Sequence, residues 1–340
     1  MRRLSRSSVW LVGCLLAGIV SMAAGPVADA SAATITLKPA SVPQGGKTKV
    51  VGAGFVPADI LTIALDGTPV ATATVTATGT VAKIVKVPLA TTVGGHTIAA
   101  TGALGGTASA PVAVTPGYRI SVLDADPVAY YRLSDRGAVM TDASGSGRHA
   151  VYSTAGNVKQ RVGGALLTDP DKAVSSSGGA NPVGGLAAAG FLPAGNAPRS
   201  IEAWYKSTNA LQHGLVAWGT TGRGRAFGLA VLANRIWLDT YQGIVDFSTT
   251  KNLKDGKWHH LVITWDGTNG RGYVDGKPLA IVGDSVVRPL VTVSEGLLVG
   301  AWVDTAFNQR LVGTIDEVAI YDRVLTPAEV AAHVYAAGRK

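Results

Sequence analysis

A chain of 340 residues, 47% hydrophobic and 15% charged, has room for about two domains and is too apolar to stay unfolded. Its one cysteine, Cys14, lies in an N-terminal apolar run, which removes internal disulfides and cysteine-based zinc or redox sites from the mature chain. The net charge of +8 is spread along the sequence with no run of like charges, so the concentrated basic stripe that nucleic acid requires is missing.

Residues 1–33 have the form of an export signal. Arg2, Arg3 and Arg6 precede an apolar stretch from Val9 to Ala24, and Ala28-Asp29-Ala30 and Ala30-Ser31-Ala32 both offer small-x-small cleavage sites. The mature chain is expected to begin near Ala33 and to be secreted or associated with the cell envelope. Leu11-Val12-Gly13-Cys14 resembles a lipobox, but cleavage before Cys14 would leave too short an apolar segment. No second apolar stretch is long enough to span a bilayer, so no membrane insertion is expected once the signal is cleaved.

From Thr34, short runs of Val, Ile, Thr and Ala separated by Gly and Pro have the rhythm of a β-sandwich. Strands are predicted at 47–51, 60–65, 70–76, 80–87, 97–101 and 108–114, with turns at Asp66-Gly67 and Gly94-Gly95. Pro39 to Gly46, the run Val51-Gly52-Ala53-Gly54-Phe55 and Leu65-Asp66-Gly67 together resemble bacterial Ig-like repeats of the IPT/TIG type over residues 34–115. That resemblance implies a spacer that presents another domain. Thr115-Pro116-Gly117 marks the boundary, beyond which all six mature tryptophans lie.

In the second half, strands are predicted at 128–133, 200–206, 214–218, 226–232, 235–240, 258–265, 272–274, 296–299 and 314–321, with Asp275-Gly276 as a hairpin turn. Residues 175–197 are low in complexity and read as a mobile loop. One helix is expected, after Thr326, where Pro327 and Glu329 complete a capping box. Ala129-Tyr130-Tyr131-Arg132-Leu133, Thr141 to His149, Ser200-Ile201-Glu202-Ala203-Trp204, Trp258 to Asp266, Tyr273-Val274-Asp275-Gly276 and Gly313 to Arg323 follow one another in an order that resembles the laminin G-like domain of the concanavalin A-like superfamily, over residues 118–340. The expected fold is therefore all-β: an Ig-like β-sandwich, then a concanavalin A-like jelly roll with a short C-terminal helix.

Jelly rolls of this kind include glycosidases, which need two facing carboxyl groups. The mature chain has only Glu202, Glu295, Glu317 and Glu329, with Glu202 alone on its strand and Asp316 and Glu317 expected on opposite faces. His259 and His260, adjacent on a strand, diverge and cannot clamp one metal. No catalytic set emerges, and the chain is expected not to be an enzyme. The laminin G-like resemblance implies a calcium ion, for which Asp142, in its Gly-rich turn, and Asp316 are the nominated ligands. Sugars stack on aromatic faces, which nominates Trp218, Trp237 and Trp302, with Arg223 and Arg225 in a Gly-rich turn as contacts for acidic glycans. The expected role is recognition of a glycan or an extracellular protein. The rivals are a glycosidase or lyase with an atypical carboxylate set and a structural envelope protein without a ligand.

Overall fold

The structure is a computed structural model that describes residues 32–304 and 309–339. The export signal and Cys14 lie outside the described residues, apart from the last two positions before Thr34. No helix among the described residues is long and apolar enough to cross a membrane.

Residues 34–115 form two packed sheets. One joins Thr34–Lys38, Lys47–Ala53 and Val81–Lys86; the other runs Ser41–Pro43, Thr107–Thr115, Gly94–Gly102, Ile60–Leu65, Thr68–Thr74. Alternation of buried and exposed residues along Lys47–Ala53 and Ile60–Leu65 places Val50, Leu61 and Ile63 in an aliphatic core closed by Phe55. Gly52 makes room for that plug, since a Cβ there would lie 2.9 Å from the Phe55 ring. Asp66 and Gly67 form the expected turn with φ of 45° and 81°, which suits the mirror-image turns of hairpins. Gly94-Gly95 instead begins a strand.

The second half is a sandwich of two antiparallel sheets. The nine-stranded sheet runs Val139–Met140, Ala150–Tyr152, Gly184–Leu186, Leu297–Val299, His213–Gly219, Ala226–Leu232, Arg235–Asp239, Ile244–Ser248, Ala280–Asp284. The eight-stranded sheet runs Val158–Gly163, Lys172–Ser177, Val312–Tyr321, Arg199–Lys206, His259–Trp265, Gly270–Val274, Lys277–Pro278, with Ala129–Tyr131 also paired to Val312–Tyr321. Ile201, Tyr205, Trp218, Phe227, Leu238, Phe247, Ile263 and Ile320 fill the space between the sheets.

Two helices close the outer face of the eight-stranded sheet. Pro327–Ala336 begins with the expected capping box: Thr326 Oγ1 accepts from Glu329 N at 3.2 Å, and Glu329 Oε2 accepts from Thr326 N at 2.7 Å. The other, Tyr118–Asp124, is only seven residues long, too short for a sequence period to reveal, and buries Tyr118 and Val122. Tyr335 in the C-terminal helix donates to Ser41 O at 2.6 Å, tying the first sandwich to the second.

The low-complexity stretch is not a mobile loop. Lys172–Ser177 and Gly184–Leu186 are strands, and Val183, Ala189 and Leu192 are buried. The remainder is pinned by the fully buried Arg199, whose guanidinium donates to the carbonyls of Pro193, Ala194, Gly195 and Ala197 at 2.7 to 3.1 Å. Burial lowers this arginine to about 10, and the four carbonyls satisfy its donors without a counter-ion.

Candidate functional site

The helices leave the nine-stranded sheet with one open face. Because side chains alternate along a strand, Trp218, Phe227, Ile236, Leu238, Val245 and Phe247 point into the core, and Ala217, Gly228, Trp237, Asp239 and Asp246 point away from it. Trp302 lies on that outward face against Ala217 and Ala226. Gly228 is what permits this approach, since a Cβ there would lie 2.5 Å from Trp302 Cζ3. Asp239, Tyr241, Gln242, Trp302 and Gln309 line a cleft of about 240 Å³ at the end of the Arg235–Asp239 strand. One strand pair away, Trp237 faces Asp246, and the Trp237 Nε1 and Asp246 Oδ1 atoms are buried without hydrogen-bond partners. Asp246 Oδ2 accepts from Arg235 at 2.5 Å.

The nominated sugar contacts therefore separate. Trp237 is half-buried on the outward face, whereas Trp302, on the same face, is only 3% exposed, packed against Ala217 and Ala226, and is not an open platform. Trp218 is not an accessible platform: it is fully buried between the sheets and donates from Nε1 to Pro193 O at 3.1 Å. Strand parity, which the sequence leaves undecided, makes the difference. Arg223 and Arg225 are exposed but do not line the cleft, and Arg225 turns back to Thr220 Oγ1 at 3.2 Å. Asp239, Tyr241, Gln242 and Gln309 carried no sequence signal, since a Tyr-Gln pair is not a recognised turn dipeptide.

The nominated calcium ligands separate as well. Asp142 does not fit an ion, because its oxygens already accept from Tyr130 N, Ser144 N, Ser144 Oγ and Arg148 N at 2.9 to 3.0 Å. These bonds outweigh burial and hold its carboxyl low. Asp316 gathers instead with Asp171 and Glu317, with carboxylate oxygens all within 4.8 Å. The expectation that Asp316 and Glu317 face opposite ways fails at a β-bulge: the register against Arg199–Lys206 slips there and Glu317 adopts φ 51°.

Arg132 already serves this cluster, with Nη2 at 2.9 Å from Asp169, 2.7 Å from Asp171 and 2.9 Å from Glu317. Tyr130 donates to the other Glu317 oxygen, Ala165 N donates to Asp316 Oδ2 at 2.7 Å, and Asp316 Oδ1 is buried without a partner among the described residues. Ca²⁺ takes six to eight oxygens, and here a guanidinium already holds two of the three clustered acids, Asp171 and Glu317. With Arg132 as the counter-charge, melts in Ca²⁺ and in chelator are expected to coincide. A lower Tm in chelator would assign an ion to the orphaned Asp316 oxygen.

Another buried acid, Glu202, is alone on its strand as expected but is surrounded by partners from other elements. Tyr118 OH donates to its Oε1 at 2.5 Å and Tyr321 OH to its Oε2 at 3.1 Å, while His260 Nε2 and His333 Nδ1 lie at 3.0 and 2.9 Å. The adjacent His259 turns the other way, between Asp255 and Asp275 at 3.2 and 3.1 Å, so the two histidines do diverge although both are buried.

Residues 183–331 match the family model described as the Concanavalin A-like lectin/glucanases superfamily. The C-terminal sandwich is a concanavalin A-like domain. Among curated proteins, this chain is 34% identical over 87 residues to neuronal pentraxin-2 of Cavia porcellus, covering 23% of this chain and 20% of that protein. It is 29% identical over 136 residues to the sushi, von Willebrand factor type A, EGF and pentraxin domain-containing protein 1 of Rattus norvegicus, covering 37% of this chain and 4% of that protein. The chain thus spans a fifth or less of the length of these relatives.

Solved structures similar to this chain include domain 4 of AbnA, a GH43 extracellular arabinanase from Geobacillus stearothermophilus in complex with arabinotriose. It has a TM-score of 0.45 and 19% identity, covering 62% of this chain and 98% of that one. Trypanosoma rangeli sialidase aligns with a TM-score of 0.45 and 20% identity, covering 62% of this chain and 32% of that one. The expectation of a chain without enzymatic activity is overturned by these comparisons. The family description joins lectins with glucanases, so the match does not set enzymes aside.

Proposed function

We propose that the concanavalin A-like domain recognises carbohydrate on the open face of its nine-stranded sheet, in a secreted protein whose first sandwich serves as a spacer. The observation that carries this reading is the half-buried Trp237 indole on the face the helices leave uncovered, near a cleft lined by the Asp239 carboxylate, the Tyr241 phenol, the amides of Gln242 and Gln309 and the largely buried Trp302. Indole faces pack against the C–H surface of a sugar ring, and a few fixed polar groups orient its hydroxyls. Buried polar atoms left without partners, such as Trp237 Nε1 and Gln309 Oε1, are the kind a ligand satisfies.

The test is a glycan array probed with the chain from Ala33 onward, with bound glycans followed for cleavage. Saturable binding to one glycan class is the expected result, with Trp237→Ala weakening it about tenfold while Tm stays within a few degrees. A blank array would remove the reading and turn attention to a protein partner at the edge strand Ala280–Asp284, where Ile281 and Val282 are 52% and 53% exposed.

A further inference from the structure

The two sandwiches meet at a joint that leaves the connecting chain no slack. Only Pro116 and Gly117 separate the strand Thr107–Thr115 from the helix Tyr118–Asp124. Proline fixes its own φ, and Gly117 N donates to the buried Gln44 Oε1 at 3.0 Å. Gln44 is in turn held within the first sandwich, where its backbone N donates to Thr115 O at 3.0 Å and its Nε2 to Thr91 O at 2.6 Å. On the other side of the step, the buried Tyr118 donates to Glu202 at 2.5 Å. The connection is therefore anchored in both sandwiches.

A second contact is a close approach of two backbones. Gly45, in the turn after Ser41–Pro43, has φ of 73°, and a Cβ there would overlap the Thr168 carbonyl oxygen of the second sandwich. Thr168 is not free to retreat. Its Oγ1 donates to Ala336 O at 2.8 Å and the neighbouring Leu167 N donates to Ala337 O at 2.9 Å, which fastens this loop to the end of the C-terminal helix. Tyr335 of the same helix bonds back to Ser41 O. Pro43, Gln44, Gly45, Gly46 and Thr168 are all buried.

We infer that the seat of Gly45 on Thr168 locks the two sandwiches into one cooperative unit, so that the first acts as a rigid arm holding the open sheet at a fixed angle. Relative motion is the default for domains that share a chain and a modest contact. Here the hinge is two residues long and bonded on both sides, and glycine allows an approach that any side chain would block. The contact also bears on the helix that brings His333 to Glu202, so undocking should loosen that helix. This arrangement holds whether or not the open face binds sugar.

The experiment is scanning calorimetry with small-angle X-ray scattering on the chain from Ala33 onward and on two variants. The parent should melt in one transition whose calorimetric and van 't Hoff enthalpies agree. Gly45→Ala should split the melt into two transitions and increase the maximum dimension of the particle. Gly67→Ala is the control, because Gly67 also has a positive φ, 81°, but a Cβ there meets nothing within 4 Å. It imposes similar backbone strain without the clash between sandwiches, and should shift Tm by a few degrees while keeping one transition. Two transitions in the parent, or Gly45→Ala with one transition and an unchanged dimension, would overturn the inference and make the first sandwich a flexible spacer. If Gly45→Ala does not fold, the enthalpy ratio of the parent decides.

Discussion

Replacing Glu202 with alanine is expected to destabilise the chain by about 3–5 kcal/mol, because one substitution strips the partner from two buried phenols and two buried imidazoles. For a domain of this size that corresponds to a Tm lower by roughly 10 °C. The network also sets a pH dependence. Burial alone would raise the Glu202 carboxyl, but the charges of His333 and His260 outweigh it and hold the group well below its ordinary value of 4.5. Burial alone would lower His333, but Glu202 outweighs it and raises the imidazole above 6.5.

A carboxyl held low adds stability that is complete above 4.5 and is lost as pH falls through its folded value. An imidazole held high adds stability that is complete below 6.5 and is lost as pH rises through its folded value. Tm should therefore be highest between pH 4.5 and 6.5, and the Glu202→Ala profile should be flatter as well as lower. A variant melting within 2 °C of the parent, by about the Tm equivalence above, would show that the network contributes little.

Arg132→Ala is expected to have a comparable effect through the opposite charge. Among the described residues, the guanidinium is the one cation paired with Asp169, Asp171 and Glu317, and Glu317 is fully buried. Removing it leaves an uncompensated buried acid, which costs about 3–5 kcal/mol. Burial already pushes Asp316 and Glu317 upward, so the variant should recover part of its stability in acid, where these carboxyls are protonated. Arg132→Lys keeps the charge but loses the planar fork that reaches three acids, and should fall between the two. Thermal melts at pH 5 and pH 8 check both expectations, and an Arg132→Ala loss that does not shrink in acid would contradict them.

Much of the fold could be read in advance because its signals are local. Ile60–Leu65 and Ala226–Leu232 occupy the predicted strands, the Asp275-Gly276 turn has φ of 49° and 78°, and Thr326 caps its helix. The site was less legible because it depends on contacts distant in sequence. His333 lies 131 residues from Glu202 along the chain, so nothing near the Glu202 strand motif announces the pair. The bulge at Glu317 breaks the period-two rule that had separated it from Asp316. Trp218 and Trp237 look alike as strand tryptophans, and only the register of their strands sends one into the core and the other outward.

The most direct measurement is hydrogen–deuterium exchange on the chain, free and saturated with the tightest-binding glycan of the array. Added protection is expected in Arg235–Ser248 and around Trp302, the segments that build the open face and its cleft. Protection confined to the helix-covered face, to Pro327–Ala336 or to residues 34–115 would place the ligand elsewhere and contradict the assignment.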